Sequence, residues 1–466
     1  MPSKNTLFAI LQQAEYDLKY FSQWYEKNKS EIINPKSEIK IKWTSKLKLI
    51  NFFYALLPST LLGINFLSPL QKIKISLVII KPFEFFIRQF IYAAATAKLL
   101  TFKLLGLKVV AIAGSYAKTS TKHILYHSLK SQVSMLITPE SVNTPLGIAR
   151  VILKDLKPEH KLFVAELGEY YRGDISKLCR FTRPNFGILT PIGRQHLERM
   201  GSLEVIVATF TELLEYFKFD SSKLLIASEN EQYFGKHKLN YYGLKKKDQK
   251  LKNKNILHSF PRDPFGTFFI LHSFISRSGT EFTVKLPDQE LKVFSPLYGE
   301  HQAANTLPAF WLAQKLKLNS QLLNSSITQL PFIPHRHQPF FTDNDVLILD
   351  NGYNSNPDSV QASLELINAL QPTHRIVITP GFLELGTHAD ELHFLFGKQL
   401  AKKTDYLGLL NFPGQQKIIE GFIKAGGKKT NIFTGNSQAA VIAKLQSKII
   451  KGSVILFENG VNEVYR

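Results

Sequence analysis

An α/β protein with parallel, doubly wound sheets is predicted over residues 107–466, on three observations. Short apolar strands recur, each running into a Gly, Pro or Asn turn and then a helix-like segment. Continuous apolar strands of this kind belong to parallel sheets covered on both faces. The rhythm comes in two blocks, separated by a stretch of different character at 228–298. The first strand of the first block ends in AGSYAKTS, a small-residue turn with a lysine opening the next helix. That is a phosphate-binding arrangement at a helix N-terminus.

In chain order, LKVVAIAG, SMLITP, KLFVAELG and NFGILTPIG read as the first four strands. Residues 228–298 carry lysine-rich loops, KKKDQKLKNKN at 245–255 among them, and β-like pieces such as GTFFILHSF and TEFTVKL. HQAANTLPAFWLAQKL (301–316) reads as one helix, and PFIPHRHQPF (331–340) as an extended connection. The second block follows with DVLILD, HRIVITPG, DYLGLLN, TNIFTG and SVILFENG. The expected organisation is a helical, partly hydrophobic N-terminal region (1–106), a central domain (107–331) and a C-terminal doubly wound domain (332–466). Ligands commonly bind in the cleft between two such units.

The N-terminal region divides further. Residues 1–48 are polar and rich in helix formers, without the apolar core and cleavage site of a signal peptide. Residues 49–71 contain no charged side chain and are long enough to span a bilayer. Residues 75–100 are also apolar but carry Lys81, Glu84 and Arg88. Those charges suit a membrane interface better than a span. A buried helical pair broken at Pro58 and Pro69 accounts for the same pattern.

Composition narrows the function classes. The single cysteine, Cys179, excludes a disulfide scaffold and fits a reducing, cytoplasmic setting. No Cys/His spacing suggests zinc. The net charge of +21 favours polyanionic partners. The lysines are scattered and no nucleic-acid recognition motif is present, so solvated faces explain the excess better than a nucleic-acid groove.

The loop Gly114-Ser115-Tyr116-Ala117-Lys118-Thr119-Ser120 is the clearest chemical feature. Its backbone N–H groups would cradle phosphate, Lys118 would neutralise the β and γ phosphates of ATP, and Thr119 would ligate Mg2+. A cation in a first helical turn opposes the helix dipole, which argues for an anionic partner. Ala117 stands where such a loop normally has glycine. It is tolerable with ordinary negative φ, or if strain is absorbed.

From here the chain resembles the Mur ligase family, in its D-alanyl-D-alanine-adding branch. The loop is followed in order by TPESVNTPLGIA, VAELGEYYRGDI, GILTPIGRQHLERMGSLE, GEHQAANTLPA, HRHQPF, LDNGYNSNPDS and GFLELGTHADELHFLFG. The ordered set, over about 107–466, is far more specific than any one motif. The resemblance implies a Mur-ligase-like central phosphate-loop domain and a Rossmann-like C-terminal domain. It also implies a monomeric enzyme of peptidoglycan precursor synthesis, joining UDP-MurNAc-tripeptide to D-Ala-D-Ala through an acyl phosphate. Thr119 and Glu166 would then hold one Mg2+ and His196 a second. Asn305 and Arg336 would contact nucleotide, and Asp350, Tyr353, Asn354 and Asn356 would face it from the C-terminal domain. Asn354 and Asn356, before Pro357, also suit a helix cap and turn.

Three departures from the family pattern open a second reading. They are Ala117, Phe210 where the family carries a lysine that becomes carbamylated beside the second metal, and an N-terminal region unlike the usual UDP-binding domain. Glu212, two residues on, is expected to point elsewhere. An active ligase associated with the inner face of the membrane through 49–100 is one reading. A catalytically weakened homologue, acting as a nucleotide-binding or membrane-associated scaffold, is the other. On the first, Phe210→Lys is expected to leave activity intact or raise it.

Overall fold

The computed structural model describes residues 48, 50–51, 60–61, 64–65, 69–244, 268–287, 289–353 and 355–460. The polar stretch 1–47, most of 49–68, the lysine run 245–255 and Asn354 lie outside the described residues. Two compact units are present, one ending at Ala94 and one spanning Ala95–Asn462.

The second apolar stretch of the N-terminal region lies in a single helix, α1 (Pro69–Leu104). Pro69 opens it, where a missing N–H costs nothing, and Pro82 sits inside it. Among the described residues, no helix is long and apolar enough to cross a membrane.

The unit Ala95–Asn462 carries both predicted blocks, each as one sheet. The first sheet holds β1 (Lys108–Ala113), β2 (Met135–Ile137), β3 (Leu162–Glu166), β4 (Phe186–Leu189), β5 (Leu224–Ala227), β6 (Tyr241–Leu244), β7 (Phe268–Ser276), β8 (Gly279–Lys285) and β9 (Glu290–Ser295). Their spatial order is β9-β8-β7-β6-β5-β4-β1-β3-β2. β1 to β7 pair in parallel, and β8 and β9 add an antiparallel edge. Helices α2 (Lys118–Leu129), α3 (Pro145–Asp155), α4 (Asp174–Thr182) and α5 (Leu203–Tyr216) connect the early strands. The strands Leu224–Ala227 and Tyr241–Leu244 escape the sequence reading because each is four residues long, beside lysine-rich loops.

The helix expected over 301–316 is two helices, α6 (Glu300–Ala304) and α7 (Leu307–Leu316). Pro308 explains the break: it lacks an N–H and sits in the first turn of the second helix. Trp311, Phe310 and Leu312 of α7 pack with Ile124, Leu125 and Leu129 of α2 in a core that reaches Val110, Ile112 and Val164. That packing fixes the α2 N-terminus at the carboxyl end of β1.

After α8 (Ser320–Ile327), the second sheet holds β10 (Gln338–Phe341), β11 (Leu347–Asn351), β12 (Arg375–Thr379), β13 (Tyr406–Leu410), β14 (Ile432–Gly435) and β15 (Val454–Glu458). Its order is β10-β11-β15-β12-β13-β14, parallel except for β10. The connection expected to be extended at 331–340 thus ends as an antiparallel edge strand. Helices α9 (Val360–Ala369), α10 (Ala389–Lys403), α11 (Gln415–Lys424) and α12 (Gln438–Leu445) cover the sheet.

Candidate active site

The loop between β1 and α2 is pinned to the strand beside it. Ser115 N donates to Pro191 O at 3.0 Å, Ser115 Oγ to Gly193 O at 2.9 Å, and Thr190 Oγ1 to Tyr116 O at 2.6 Å. Gly114 has φ +138, and a Cβ there would meet Thr190 O at 2.7 Å. Only glycine fits, on conformation and on space.

Of the two conditions open to Ala117, negative φ or absorbed strain, the structure shows the second. It caps α2 in the left-handed region, at φ 67, ψ −6. The loop keeps the shape that glycine gives it and carries the strain of a Cβ there, of order 1–2 kcal/mol. Ala117→Gly removes that strain and adds some unfolded-state entropy. A net gain of about 1 kcal/mol in unfolding free energy is expected in denaturant titration.

Beyond Ala117 the polar side chains converge. Lys118 is buried, and its Nζ donates to the carbonyl of Gly114 and lies 3.3 Å from both carboxylate oxygens of Glu169. Thr119 Oγ1 donates to Glu166 Oε2 at 3.1 Å. Lys122, one turn on, is fully buried and donates to the same oxygen at 2.8 Å. Asn143 Nδ2 reaches the other oxygen, Oε1, at 3.4 Å. Burial pulls the Lys122 ammonium down against the opposing pull of Glu166. Burial pushes the Glu169 carboxyl up, although Lys118 and His196 oppose it. Ser120 is buried inside the first turn of α2.

The second lobe closes over this cluster. Arg194 binds Asp358 through Nη2 at 2.6 Å and Nε at 3.2 Å, and its backbone N–H donates to the same carboxylate. His196 Nδ1 bonds Glu384 Oε2, and the backbone of Glu198 donates to Glu384 O at 3.1 Å. Burial works to raise the Glu384 carboxyl, but the His196 hydrogen bond and charge, with Arg199, hold it below its ordinary value. The His196 ring also packs against Tyr170, 4.9 Å between centroids. Arg336 stacks on Tyr353 at 4.2 Å, and the Tyr353 hydroxyl bonds Ser141. Burial lowers the Arg336 guanidinium, with Tyr353 and Glu166 acting against it.

The remaining sequence-derived candidates lie in more local settings. Asp350 accepts from Gly352 N and bonds His335 Nδ1, both at 2.7 Å. Asn356 Oδ1 accepts from Asp358 N and Ser359 N at 3.0 and 2.9 Å, the turn-forming role open to it from sequence. Asn305 is buried at the α6–α7 junction, with its side-chain amide donating to Gln302 at 3.3 Å.

Phe210 is wholly buried on α5. Glu212 does point elsewhere: it accepts from Gly173 N at 2.6 Å and Ser176 N at 2.9 Å, capping α4. This burial adds a stability cost to Phe210→Lys that the expectation of unimpaired activity left out. Sequence reasoning also missed Lys122, Glu169, Glu384 and the Arg194–Asp358 pair. The first two had a signal, lying four residues after Lys118 and three after Glu166. The others depend on how the lobes meet.

The donor set fits a magnesium nucleotide. Mg2+ is usually held by one or two carboxylates together with phosphate oxygens and water. Among the described residues no group of three or more His, Cys, Asp or Glu could hold a metal alone. Thr119 and Glu166 offer two hard oxygens side by side, and Lys118 already holds an anion in Glu169.

A glycine-bearing strand-to-helix loop on a parallel sheet, contacted by a second doubly wound lobe, defines a two-lobed α/β fold. Residues 112–313 match the Mur ligase middle domain. The chain is 26% identical over 349 residues to the UDP-N-acetylmuramoyl-tripeptide–D-alanyl-D-alanine ligase of Escherichia coli K12, covering 74% of each chain. It is 28% identical over 358 residues to the Synechocystis protein of the same name, covering 75% of this chain and 71% of that one. The MurF ligase structure from Thermotoga maritima in complex with ADP superposes with a TM-score of 0.67 at 23% identity, over 81% of each chain. Residues 112–313 thus carry a Mur ligase middle domain, and over about three quarters of its length the chain is similar to D-alanyl-D-alanine-adding ligases.

Proposed function

We propose that this chain is an ATP- and Mg2+-dependent peptide ligase that joins D-Ala-D-Ala to UDP-MurNAc-tripeptide in peptidoglycan precursor synthesis. The observation that carries the reading is the Thr119–Glu166 oxygen pair beside Lys118, in a phosphate loop that the second lobe covers. In this reading the peptide carboxylate takes the γ-phosphoryl group and becomes an acyl phosphate. The amine of D-Ala-D-Ala attacks its carbonyl carbon, and the tetrahedral intermediate collapses to amide and phosphate. Alignment and charge neutralisation supply most of the catalysis.

Lys118 would turn from Glu169 to the phosphates, and Thr119 and Glu166 would hold a Mg2+, whose charge would help offset that of the phosphates. His196 would bind near the transferred phosphoryl group, with Glu384 orienting its ring. Arg336, Asn305, Asp350, Tyr353, Asn354 and Asn356 would line the nucleotide side. The Arg194–Asp358 and His196–Glu384 contacts would keep water from the acyl phosphate. The enzyme would act as a cytoplasmic monomer at the inner face of the membrane.

The test is ligation by purified full-length protein supplied with ATP, Mg2+, UDP-MurNAc-tripeptide and D-Ala-D-Ala, read by mass detection of the pentapeptide product. Product that requires all four is expected. Nucleotide binding without product would favour the scaffold reading, for which strained Ala117 and buried Phe210 speak.

A further inference from the structure

Large apolar side chains are concentrated on the surface of one segment of α1. Val78, Ile79, Phe83, Phe85, Phe86, Ile87 and Phe90 are all exposed, Phe86 by 68% and Phe90 by 74%. At 100° per residue they fan over a little more than half the helix circumference. Lys81, Glu84 and Arg88 occupy the rest, with Arg88 facing Glu84 at 3.9 Å. Scattered exposed hydrophobes need no explanation, but a contiguous patch of phenylalanines marks a binding surface.

Four observations select the occupant. The segment carries too much charge to cross a bilayer, and no described helix is apolar enough to do so. A broad apolar face flanked by basic side chains is the pattern of a helix lying in the headgroup region. The sequence just before it, 49–71, is 23 residues without a charge, so the neighbouring chain also favours an apolar medium. The net charge of +21 opposes self-association through this face and attracts an anionic one.

We propose that residues 78–90 of α1 dock on an anionic lipid bilayer. The phenylalanines enter the boundary between headgroups and acyl chains, and Lys81 and Arg88 reach lipid phosphates. Docking of this kind extends the inner-face placement proposed above, and it does not depend on turnover.

The experiment is flotation of the full chain with phosphatidylglycerol-rich vesicles and with pure phosphatidylcholine vesicles. Binding to the anionic vesicles is expected, weakened on neutral vesicles and at raised ionic strength. The triple variant Phe83→Ser, Phe86→Ser, Phe90→Ser should bind at least roughly tenfold more weakly. A second variant reports the face directly. Phe86→Cys can be labelled with an environment-sensitive fluorophore, because Cys179 is buried. A blue shift on anionic vesicles is expected. Absence of flotation, absence of the shift, or undiminished binding by the triple variant would overturn the proposal. So would a vesicle-free dimer that the serine substitutions dissociate, since a second copy would then own the face. None of these readouts uses ligation, so failure here and failure of the ligase assignment are separable.

Discussion

Lys118→Ala is expected to lower ATP-dependent ligation by about a thousandfold or more, the scale seen when one preorganised electrostatic partner of a transition state is removed. The structure adds that the same change should destabilise the fold. Lys118 and Glu169 are both buried, and the ammonium is the hydrogen-bonding partner shown for the Glu169 carboxylate. Removing one member of a buried pair leaves a charge without compensation, at a cost of about 3 kcal/mol. Activity and stability can be separated by a second substitution. Lys118→Ala with Glu169→Gln should recover most of the lost stability in denaturant titration and none of the activity.

The pH dependence has a definite sign. Burial raises the folded-state pKa of Glu169, so its ionised form costs stability, and the cost disappears as pH falls through that raised value. Without Lys118 the rise is larger. The stability deficit of Lys118→Ala against the parent should therefore shrink as pH falls, while the double variant, which lacks this carboxyl, should show no such narrowing. A deficit independent of pH in the single variant would show that Glu169 is not the group left exposed to the loss.

The parts of the site legible in the sequence are those that one segment of chain builds alone. Gly114, Lys118 and Thr119 occupy fixed offsets at a strand-to-helix turn, and Glu166 ends the neighbouring strand β3, paired in register with Ile112. Any parallel pairing of β1 with β3 brings the carboxylate to the loop. The strands of both blocks were legible where they were apolar and ended in turns. Leu224–Ala227 and Tyr241–Leu244 were not, because a four-residue strand gives too little pattern. The conformation of Ala117 was not legible either. An alanine signals negative φ, and only the tertiary anchoring of Ser115 and Tyr116 to the β4 side forces it left-handed. Glu384 and Asp358 lie more than 160 residues from their partners, a separation that periodicity cannot bridge. Asn356 shows the opposite case: a residue with two readings whose local one, a turn acceptor, is visible in the structure.

Phe210→Lys carries the largest expected stability loss. The family resemblance makes lysine the expected residue at 210, and the sequence alone suggested that introducing it would leave activity intact or raise it. The structure places the Phe210 ring at zero exposure on the inner face of α5, among buried Ile206, Leu213 and Leu214 of the same helix. Replacing it forfeits about 2–3 kcal/mol of apolar burial. It also leaves an ammonium that must either stay neutral, with its pKa driven far down, or drag water inward. Together these should exceed roughly 4 kcal/mol, enough to unfold a marginal domain. The measurement is thermal or urea unfolding of Phe210→Lys beside Phe210→Leu, which keeps most of the burial and should lose about 1 kcal/mol. A lysine variant as stable as the leucine one would mean that position 210 can open toward the site, and the metal support seen elsewhere in the family could then be rebuilt. Large destabilisation would mean that this chain has closed that position into its core, so that any second cation near His196 must be held without it.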